Sequence, residues 1–360
     1  MLTDINYTLV KTEDDAHYIE YKGNYFKIND NAYHLLSMFK QGLDIHEIAQ
    51  NLNMEIAETN NAFMQIKEAL TKKVRPPKIQ RLFTILNNHC CNGIGESFGF
   101  LFDKTIFYGL IILSLITTLL FYLLIADYSL LSFHIGFAGY LAALMIIMFF
   151  HEVGHVCAGS HYQLKNLKIS AGVYYIWPVF YVSLNQQVLL PREKRIIVSA
   201  GGLYFQLLLN LLCIILNAFF QNDFILLVIH LNLALFLVNI APMLILDGYW
   251  IYADLFRIEN LDTKAKALLK TPVSKIKFLK NIPAALSVYA AIRLLAILSI
   301  WFMASYFLIS NAGYFPDIIY SLQEDLGMGI IFRAVFLAMP YLLFLIYLYK
   351  TIYGRLSKND

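Results

Sequence analysis

Residues 149–155 read Phe-Phe-His-Glu-Val-Gly-His and close a long apolar run that begins at Ile135. On a helix, His151 and His155 are four residues apart and share one face, so both imidazoles can bind a single metal ion. Glu152 lies beside them, where a carboxylate can take a proton from a water held by that ion. Because a catalytic zinc usually takes three protein ligands, the pattern predicts a third ligand elsewhere in the chain.

The composition indicates the class of protein around this stretch. Of the 360 residues, 59% are hydrophobic and 15% are charged, whereas a soluble globular protein carries about 25% charged residues. The charged residues are missing in long blocks, which indicates a helical protein that crosses the membrane several times. The net charge of +3 is too small to indicate a nucleic-acid partner. The polar, acidic start, Met1 to Asp15, predicts no cleavable signal peptide.

Six stretches have the length and the apolar character of a membrane-spanning helix. They are Ile106–Ala126, Ile135–Cys157, Ile196–Phe219, Phe224–Leu246, Leu286–Ile309 and Met328–Leu348. Lysine and arginine are absent from the connections at one end of these helices and numerous at the other end, which marks the cytosolic side. We therefore expect a multi-pass protein of the cytoplasmic membrane with both termini in the cytosol, and His151 and His155 near the cytosolic end of the second span.

The third ligand is expected where the fourth span ends. Asp247 follows this apolar stretch, and an aspartate in such a setting costs several kcal/mol unless it is paired or bound to a metal. The second and fourth spans run in the same direction, so Asp247 reaches about the depth of the two histidines. Asn239 and Pro242 predict a broken or locally unwound helix, which is tolerated where it lines a cavity. Two imidazoles and a carboxylate favour zinc.

At this point the sequence resembles a known family. A His-Glu-x-x-His in one membrane helix, followed in a later helix by Asn-x-x-Pro-x-x-x-Leu-Asp-Gly at residues 239–248, resembles the site-2 protease family of intramembrane zinc metalloproteases. The similarity covers about residues 135–250. It implies that His151, His155 and Asp247 are zinc ligands and that Glu152 is the general base. It also implies that Asn239 is a polar group near the substrate or the oxyanion of the transition state.

The helix between the two motifs departs from that family. Many members carry a Gly-Pro-x-x-Asn element there, whereas residues 200–206 of this chain read Ala-Gly-Gly-Leu-Tyr-Phe-Gln. Gln206 or Asn210 is the candidate for the polar group that the element would supply. The two glycines permit close helix packing.

Residues 169–190 have a strand-like pattern between the second and third spans. Two segments rich in β-branched and aromatic residues, 173–177 and 179–183, flank Pro178. The family resemblance implies a β-hairpin that dips toward the membrane beside the metal, with a free edge that can pair with an extended substrate. The alternative is an aromatic belt at the membrane interface.

The first part of the chain, about residues 1–80, is polar enough to be a small soluble domain. His17–Tyr21 and Tyr25–Ile28 alternate in polarity around a Lys-Gly-Asn turn, which predicts a β-hairpin. Three helices are predicted to follow, at about Ala32–Phe39, Ile45–Leu52 and Ile56–Lys72. This order resembles a winged helix, similar to the small peptide-binding domains of enzymes that mature ribosomal peptides. A plain structural cap is an equal alternative, and the excess of acidic residues argues against DNA binding.

Taken together, these observations predict an all-α polytopic membrane protein of about six transmembrane helices. It carries a re-entrant β-hairpin-like segment and a small α+β winged-helix-like N-terminal domain. The expected divisions are residues 1–80 for that domain, 81–104 for a linker or interfacial segment, 105–350 for the membrane-embedded metalloprotease domain and 351–360 for a cytosolic tail.

The expected function is that of an intramembrane zinc metalloprotease that cleaves a membrane-associated peptide or a transmembrane segment. With its N-terminal domain, the chain is most similar to bacterial peptide zinc metalloproteases associated with modified-peptide or bacteriocin maturation. Two alternatives remain. One is a non-catalytic membrane protein that binds or exports such a peptide or confers immunity to it. The other is a membrane zinc hydrolase with a non-peptide substrate.

Overall fold

The structure is a computed structural model that describes residues 6–71, 79–124, 135–174, 177–243, 245–271 and 282–311. Residues up to Asn260 form one compact unit, and residues from Leu261 onward form a second. The predicted sixth span, 328–348, and the predicted tail, 351–360, lie outside the described residues.

A three-stranded antiparallel sheet opens the chain. Its strands, in spatial order, are β1 (Thr8–Lys11), β2 (His17–Tyr21) and β3 (Asn24–Ile28). The predicted hairpin is therefore present as β2 and β3. Strand β1 was not predicted, because its four residues are too few to set a pattern; it pairs with β2, with Leu9 opposite Ile19.

Three helices follow, close to their predicted bounds: α1 (Asp30–Lys40), α2 (Ile45–Asn51) and α3 (Ile56–Thr71). The side chain of Asn29 caps α1 by accepting from the backbone amide of Ala32. Asp44 and Glu47 form a reciprocal capping box at the start of α2, which satisfies backbone donors that the helix leaves unpaired. Sheet and helices bury a common core that includes Ile19, Leu36 and Ile48.

Within the described part of the chain, four helices are long and apolar enough to cross a membrane. They are α5 (Lys104–Leu124), α6 (Phe137–His161), α7 (Arg192–Phe220) and α8 (Asp223–Ile240). These four helices confirm the first four predicted stretches as candidate spans. Helix α7 packs against α5, α6 and α8, so it holds the centre of the group.

Helices α6 and α7 touch at backbone level. A methyl group added to Gly201 would lie 2.7 Å from the carbonyl oxygen of Gly154, and one added to Gly154 would collide with the carbonyl of Gly201. Small residues allow helix axes to approach this closely. The approach brings the His-Glu-x-x-His segment of α6 directly against the backbone of α7.

A second antiparallel sheet lies beside these helices. It consists of β4 (Ile79–Leu86), β5 (Ile169–Tyr174) and β6 (Trp177–Val182), in that order. The predicted hairpin is present as β5 and β6. Pro178 does not separate the two strands; it lies within β6, opposite Val173. Proline is tolerated there because β6 is an edge strand of the described sheet.

Residues 81–104, predicted as a linker or interfacial segment, contain regular secondary structure. They contain most of β4, then α4 (Asn88–Phe98) and a 3-10 turn at Gly99–Phe102. Strand β4 gains its pairing from β5, about 90 residues later in the chain. A local sequence pattern does not reveal a partner at that separation.

The fourth predicted span ends earlier than expected. Helix α8 stops at Ile240, and Ala241 is extended with φ −70° and ψ 121°, the conformation favoured before a proline such as Pro242. A new helix, α9 (Asp247–Leu255), begins after this break. The expected interruption near Pro242 is therefore present.

The second unit, described by itself, contains α10 (Leu261–Lys270) and α11 (Ala284–Asn311). Arg293 of α11 forms an ion pair with Asp262 of α10. The predicted fifth span falls in α11, where the apolar stretch that the structure describes, Ala284–Ser299, is shorter than the four long helices.

Candidate metal centre

The three predicted ligands lie together at one end of the helix group. Asp247 Oδ2 is 3.0 Å from His151 Nε2 and 3.4 Å from His155 Nε2, and the two Nε2 atoms are 3.2 Å apart. Ligand atoms about 2.0–2.1 Å from a tetrahedral zinc are separated from one another by about 3.3 Å. The three atoms thus occupy three corners of such a tetrahedron and leave the fourth corner for water or substrate.

Hydrogen bonds from the opposite side of each ring define which nitrogen faces the centre. Nδ1 of His155 is 2.9 Å from the carbonyl oxygen of Val198, which can only accept, so this Nδ1 carries the proton. Nδ1 of His151 is 3.1 Å from Gln206 Oε1. Both rings therefore direct an Nε2 lone pair at the carboxylate of Asp247. Such second partners fix the ring orientation of metal-binding histidines.

The donor set fits a cation. With both rings neutral, two nitrogen lone pairs and a carboxylate oxygen face one another, which is unfavourable unless a positive charge lies among them. Oδ2 of Asp247 is buried and has no hydrogen-bond partner among the residues that the structure describes. The side chains of His151, His155 and Asp247 are only 12%, 6% and 18% exposed. Imidazole and carboxylate ligands at these spacings suit zinc.

Asp247 reaches the centre because α9 folds back against the end of α8. A methyl group at Gly248 would collide with the carbonyl of Ile240, so only glycine fits there. The other end of α9 is tied to α7 through Arg195, whose Nη2 and Nε lie 2.7 and 3.0 Å from Asp254 Oδ1. The contact of Gly248 with Ile240 and the ion pair of Asp254 with Arg195 thereby hold the position of Asp247 at the start of α9.

Glu152 is placed beside the ligands without being one of them. It follows His151 directly in α6 and lines the same cavity as the three ligands. Val182, at the end of β6, lines this cavity as well. The second sheet therefore borders the residue that the sequence predicted as a base.

A cavity of about 1220 Å³ opens from this centre. Its wall includes Tyr181 and Val182 of β6, and Trp250 of α9. Tyr18 and Lys27 of the N-terminal sheet, and Ala16 directly before it, also line the cavity. The three candidate ligands, the edge strand and the N-terminal sheet thus line one cavity.

The polar candidates of α7 and α8 form a buried cluster of amides. Gln206, Asn210 and Asn232 are at most 2% exposed. Asn239 lines the cavity and donates from Nδ2 to Gln206 Oε1 over 3.3 Å. The structure therefore brings Gln206 and Asn239 to the centre. Asn210 lies one helical turn farther along and donates to Thr118 Oγ1 over 3.2 Å.

Some contributors to the site were not predicted. Asn232 belongs to the amide cluster, and its position as a polar residue in an apolar helix, seven residues before Asn239, is a signal that sequence analysis can use. The carbonyl of Val198, which contacts His155 Nδ1, is a backbone group that any residue supplies. No sequence pattern could have identified this contact.

Comparison with known proteins gives one partial match. The chain is 31% identical over 124 residues to a Bacillus subtilis (strain 168) protein described as "Putative peptide zinc metalloprotease protein YydH". The match covers 31% of this chain and 48% of that protein, so the chain spans about half the length of the curated relative. No protein-family model matches the chain, and no solved structure matches it significantly. The chain is thus a distant, partial relative of a protein described as a peptide zinc metalloprotease, and its described residues include four helices that could cross a membrane.

Proposed function

We propose that this protein is an intramembrane zinc metalloprotease that hydrolyses a peptide bond in a membrane-associated peptide or transmembrane segment. The observation that carries the proposal is the convergence of His151, His155 and Asp247, at ligand spacing, beside Glu152. The partial similarity to a protein described as a peptide zinc metalloprotease supports the same chemistry. A ribosomally made peptide is the proposed substrate class, and the cytosolic end of the helices is the proposed place of cleavage.

The proposed roles follow from the positions of the side chains. A bound zinc ion would polarise the scissile carbonyl and acidify the attacking water. The Glu152 carboxylate, which lines the same cavity as the three ligands, takes the proton from that water and delivers it to the nitrogen of the leaving amine. Asn239 donates one amide hydrogen to Gln206; its second amide hydrogen is available to the carbonyl oxygen of the substrate.

The edge of β6 supports binding of an extended substrate. Pro178 lies opposite Val173 in the edge strand β6, and a proline of an edge strand has its nitrogen side facing away from the neighbouring strand. Backbone direction alternates along a strand, so Phe180 shares the outward direction of Pro178. Pro178 has no N–H to donate, which leaves the Phe180 amide as a donor for an added strand. Pairing would hold the peptide unwound, with its carbonyls accessible.

The N-terminal domain is proposed to take part in peptide binding. Tyr18 and Lys27, which are cross-strand partners, line the cavity that contains the metal ligands. The domain is attached beside this cavity by polar contacts, among them Lys27 Nζ to Glu259 at 2.5 Å and Asn185 Nδ2 to the Gly23 carbonyl at 3.1 Å. The Glu259 hydrogen bond raises the pKa of Lys27, so this contact remains charged at neutral pH. A purely structural cap would need no residue in the cavity wall.

The test compares wild type with Glu152→Gln in cells that co-express candidate peptides, with products identified by mass spectrometry. The variant is expected to lose cleavage by a factor of about 10²–10⁴ or more, with unchanged zinc content in the purified protein. Glu193→Gln is the matched control, because Glu193 lines the same cavity but lies outside the ligand set. It should cleave normally.

Three results would contradict the proposal. Normal cleavage by Glu152→Gln would remove Glu152 from its role. Peptide binding that is indifferent to zinc chelation, without a product, would indicate a binding or immunity protein. Chelator-sensitive activity that leaves every peptide intact would indicate a hydrolase with another substrate.

A further inference from the structure

The geometry points to Gln206 as a positioning residue of the metal centre. One side-chain oxygen, Oε1, lies 3.1 Å from His151 Nδ1 and accepts from Asn239 Nδ2 over 3.3 Å. The side chain is 1% exposed and lies on α7, whereas its two neighbours lie on α6 and α8. The inference rests on the proposed metal site and adds the residue that sets how His151 enters it.

The orientation of the Gln206 amide is determined by a backbone group. Asn232 Nδ2 is 2.7 Å from the carbonyl oxygen of residue 206, and a carbonyl can only accept, so the nitrogen of Asn232 must face it. The oxygen of Asn232 then faces Gln206 Nε2 at 3.3 Å. Gln206 must therefore donate with Nε2 and direct Oε1 toward His151.

The hydrogen bonds farther from the metal site require the same amide orientations. Asn232 Nδ2 also donates to Asn210 Oδ1 over 3.2 Å, and Asn210 Nδ2 donates to Thr118 Oγ1 over 3.2 Å. In each of these amides the nitrogen faces an acceptor and the oxygen faces a donor. Inverting the Gln206 amide would put its oxygen against the Asn232 oxygen and its NH2 against both His151 and Asn239.

The consequence for His151 is a defined tautomer. Because Oε1 can only accept, Nδ1 of His151 carries the proton and Nε2 presents its lone pair to the metal. Without this acceptor no partner holds the proton on Nδ1, and the ring can carry it on Nε2, which cannot then bind an ion. Loss of such a partner typically lowers metal affinity by about 10–100-fold.

The experiment measures zinc affinity of the purified full-length protein by competition with a chromogenic chelator, a readout that does not require cleavage. Gln206→Met keeps the length of the side chain and removes the acceptor, and its zinc affinity is expected to fall by about 10–100-fold. Gln206→Glu restores the acceptor for His151 but sets its second oxygen against Asn232 Oδ1, so it is expected to recover part of the zinc affinity that Gln206→Met loses, at a cost in stability. This second variant is isosteric, so it remains informative if Gln206→Met folds poorly.

Asn210→Leu is the matched control. It removes a buried amide from the same cluster and the same helix, one turn from Gln206, and its hydrogen-bond partners are Asn232 and Thr118 rather than a ligand. Its zinc affinity is expected to stay near that of the wild type, even if its thermal stability falls.

The outcomes separate this inference from the proposed function. Three outcomes would each overturn the positioning role and leave the proposed function intact. In the first, Gln206→Met binds zinc as tightly as the wild type. In the second, Gln206→Met and Asn210→Leu lose equal zinc affinity, and in the third, Gln206→Glu binds zinc as weakly as Gln206→Met. A wild type that binds no zinc would overturn the proposed function, and this inference with it.

Discussion

Gly202 of α7 lies directly against the imidazole of His151 of α6: a methyl group at Gly202 would stand 2.5 Å from Nε2 and 2.7 Å from Nδ1 of the ring. The ring is therefore enclosed between the backbone of Gly202 and the side chain of Gln206, which lies 3.1 Å from Nδ1. The imidazole leaves no room for a Cβ on this side. The glycine pair noted in the sequence thus makes room for His151, a proposed metal ligand, as well as for close helix packing.

Gly202→Ala is expected to displace His151 and to weaken zinc binding by about 10-fold or more, since ligand orientation has effects of that size. Overpacking at such a site costs about 1–3 kcal/mol of stability. Gly109→Ala is the matched control, because a methyl group at Gly109, in α5, meets no described atom within 4 Å. Competition titration with a zinc chelator checks both variants, and unchanged affinity in Gly202→Ala would contradict the arrangement.

Removal of the metal is expected to destabilise the wild-type protein. Zinc at about 100 times its Kd adds roughly 2.7 kcal/mol to the free energy of unfolding, so a chelator should lower Tm. In Asp247→Asn the carboxylate ligand is replaced by a weakly binding amide, and the chelator should lower Tm much less. Asp14→Asn, a change in the cavity wall outside the ligand set, should respond as the wild type does. Equal zinc content in Asp247→Asn and wild type would remove Asp247 from the site.

The β6 edge can be tested at one backbone amide. Phe180→Pro removes the outward N–H that is proposed to pair with the substrate, while Phe180→Ala keeps it and removes only the ring. One hydrogen bond is worth about 0.5–1.5 kcal/mol, so KM should rise by about 2- to 12-fold more in the proline variant than in the alanine variant. Equal KM values for the two variants would show that the substrate does not pair at this position.

The place of the N-terminal domain can be tested by exchanging charges. Lys27→Glu sets two carboxylates against each other at the Glu259 contact and is expected to raise KM for the peptide. The double variant Lys27→Glu with Glu259→Lys should restore it. Both side chains are at least half exposed, so the change in stability should stay within about 1 kcal/mol. An unchanged KM for the peptide in Lys27→Glu would favour a structural cap as the role of the N-terminal domain.

Much of the metal centre could be predicted from sequence because its parts obey local rules. The i, i+4 spacing of His151 and His155 defines a shared helix face. An aspartate after an apolar stretch stands out because burying it alone is costly. The break in the helix before Asp247 is local as well, because Pro242 restricts the backbone of Ala241 to the extended conformation that it adopts.

The sequence by itself therefore determined which helices are apolar, where α8 breaks and which side chains are able to bind a metal. Only the tertiary structure decided that β4 joins β5 and β6, that Gln206 faces His151 while Asn210 does not, and that the carbonyl of Val198 holds the ring of His155. The reason is physical: strand partners and backbone contacts depend on which distant segments meet, and the backbone groups that make them are common to nearly every residue.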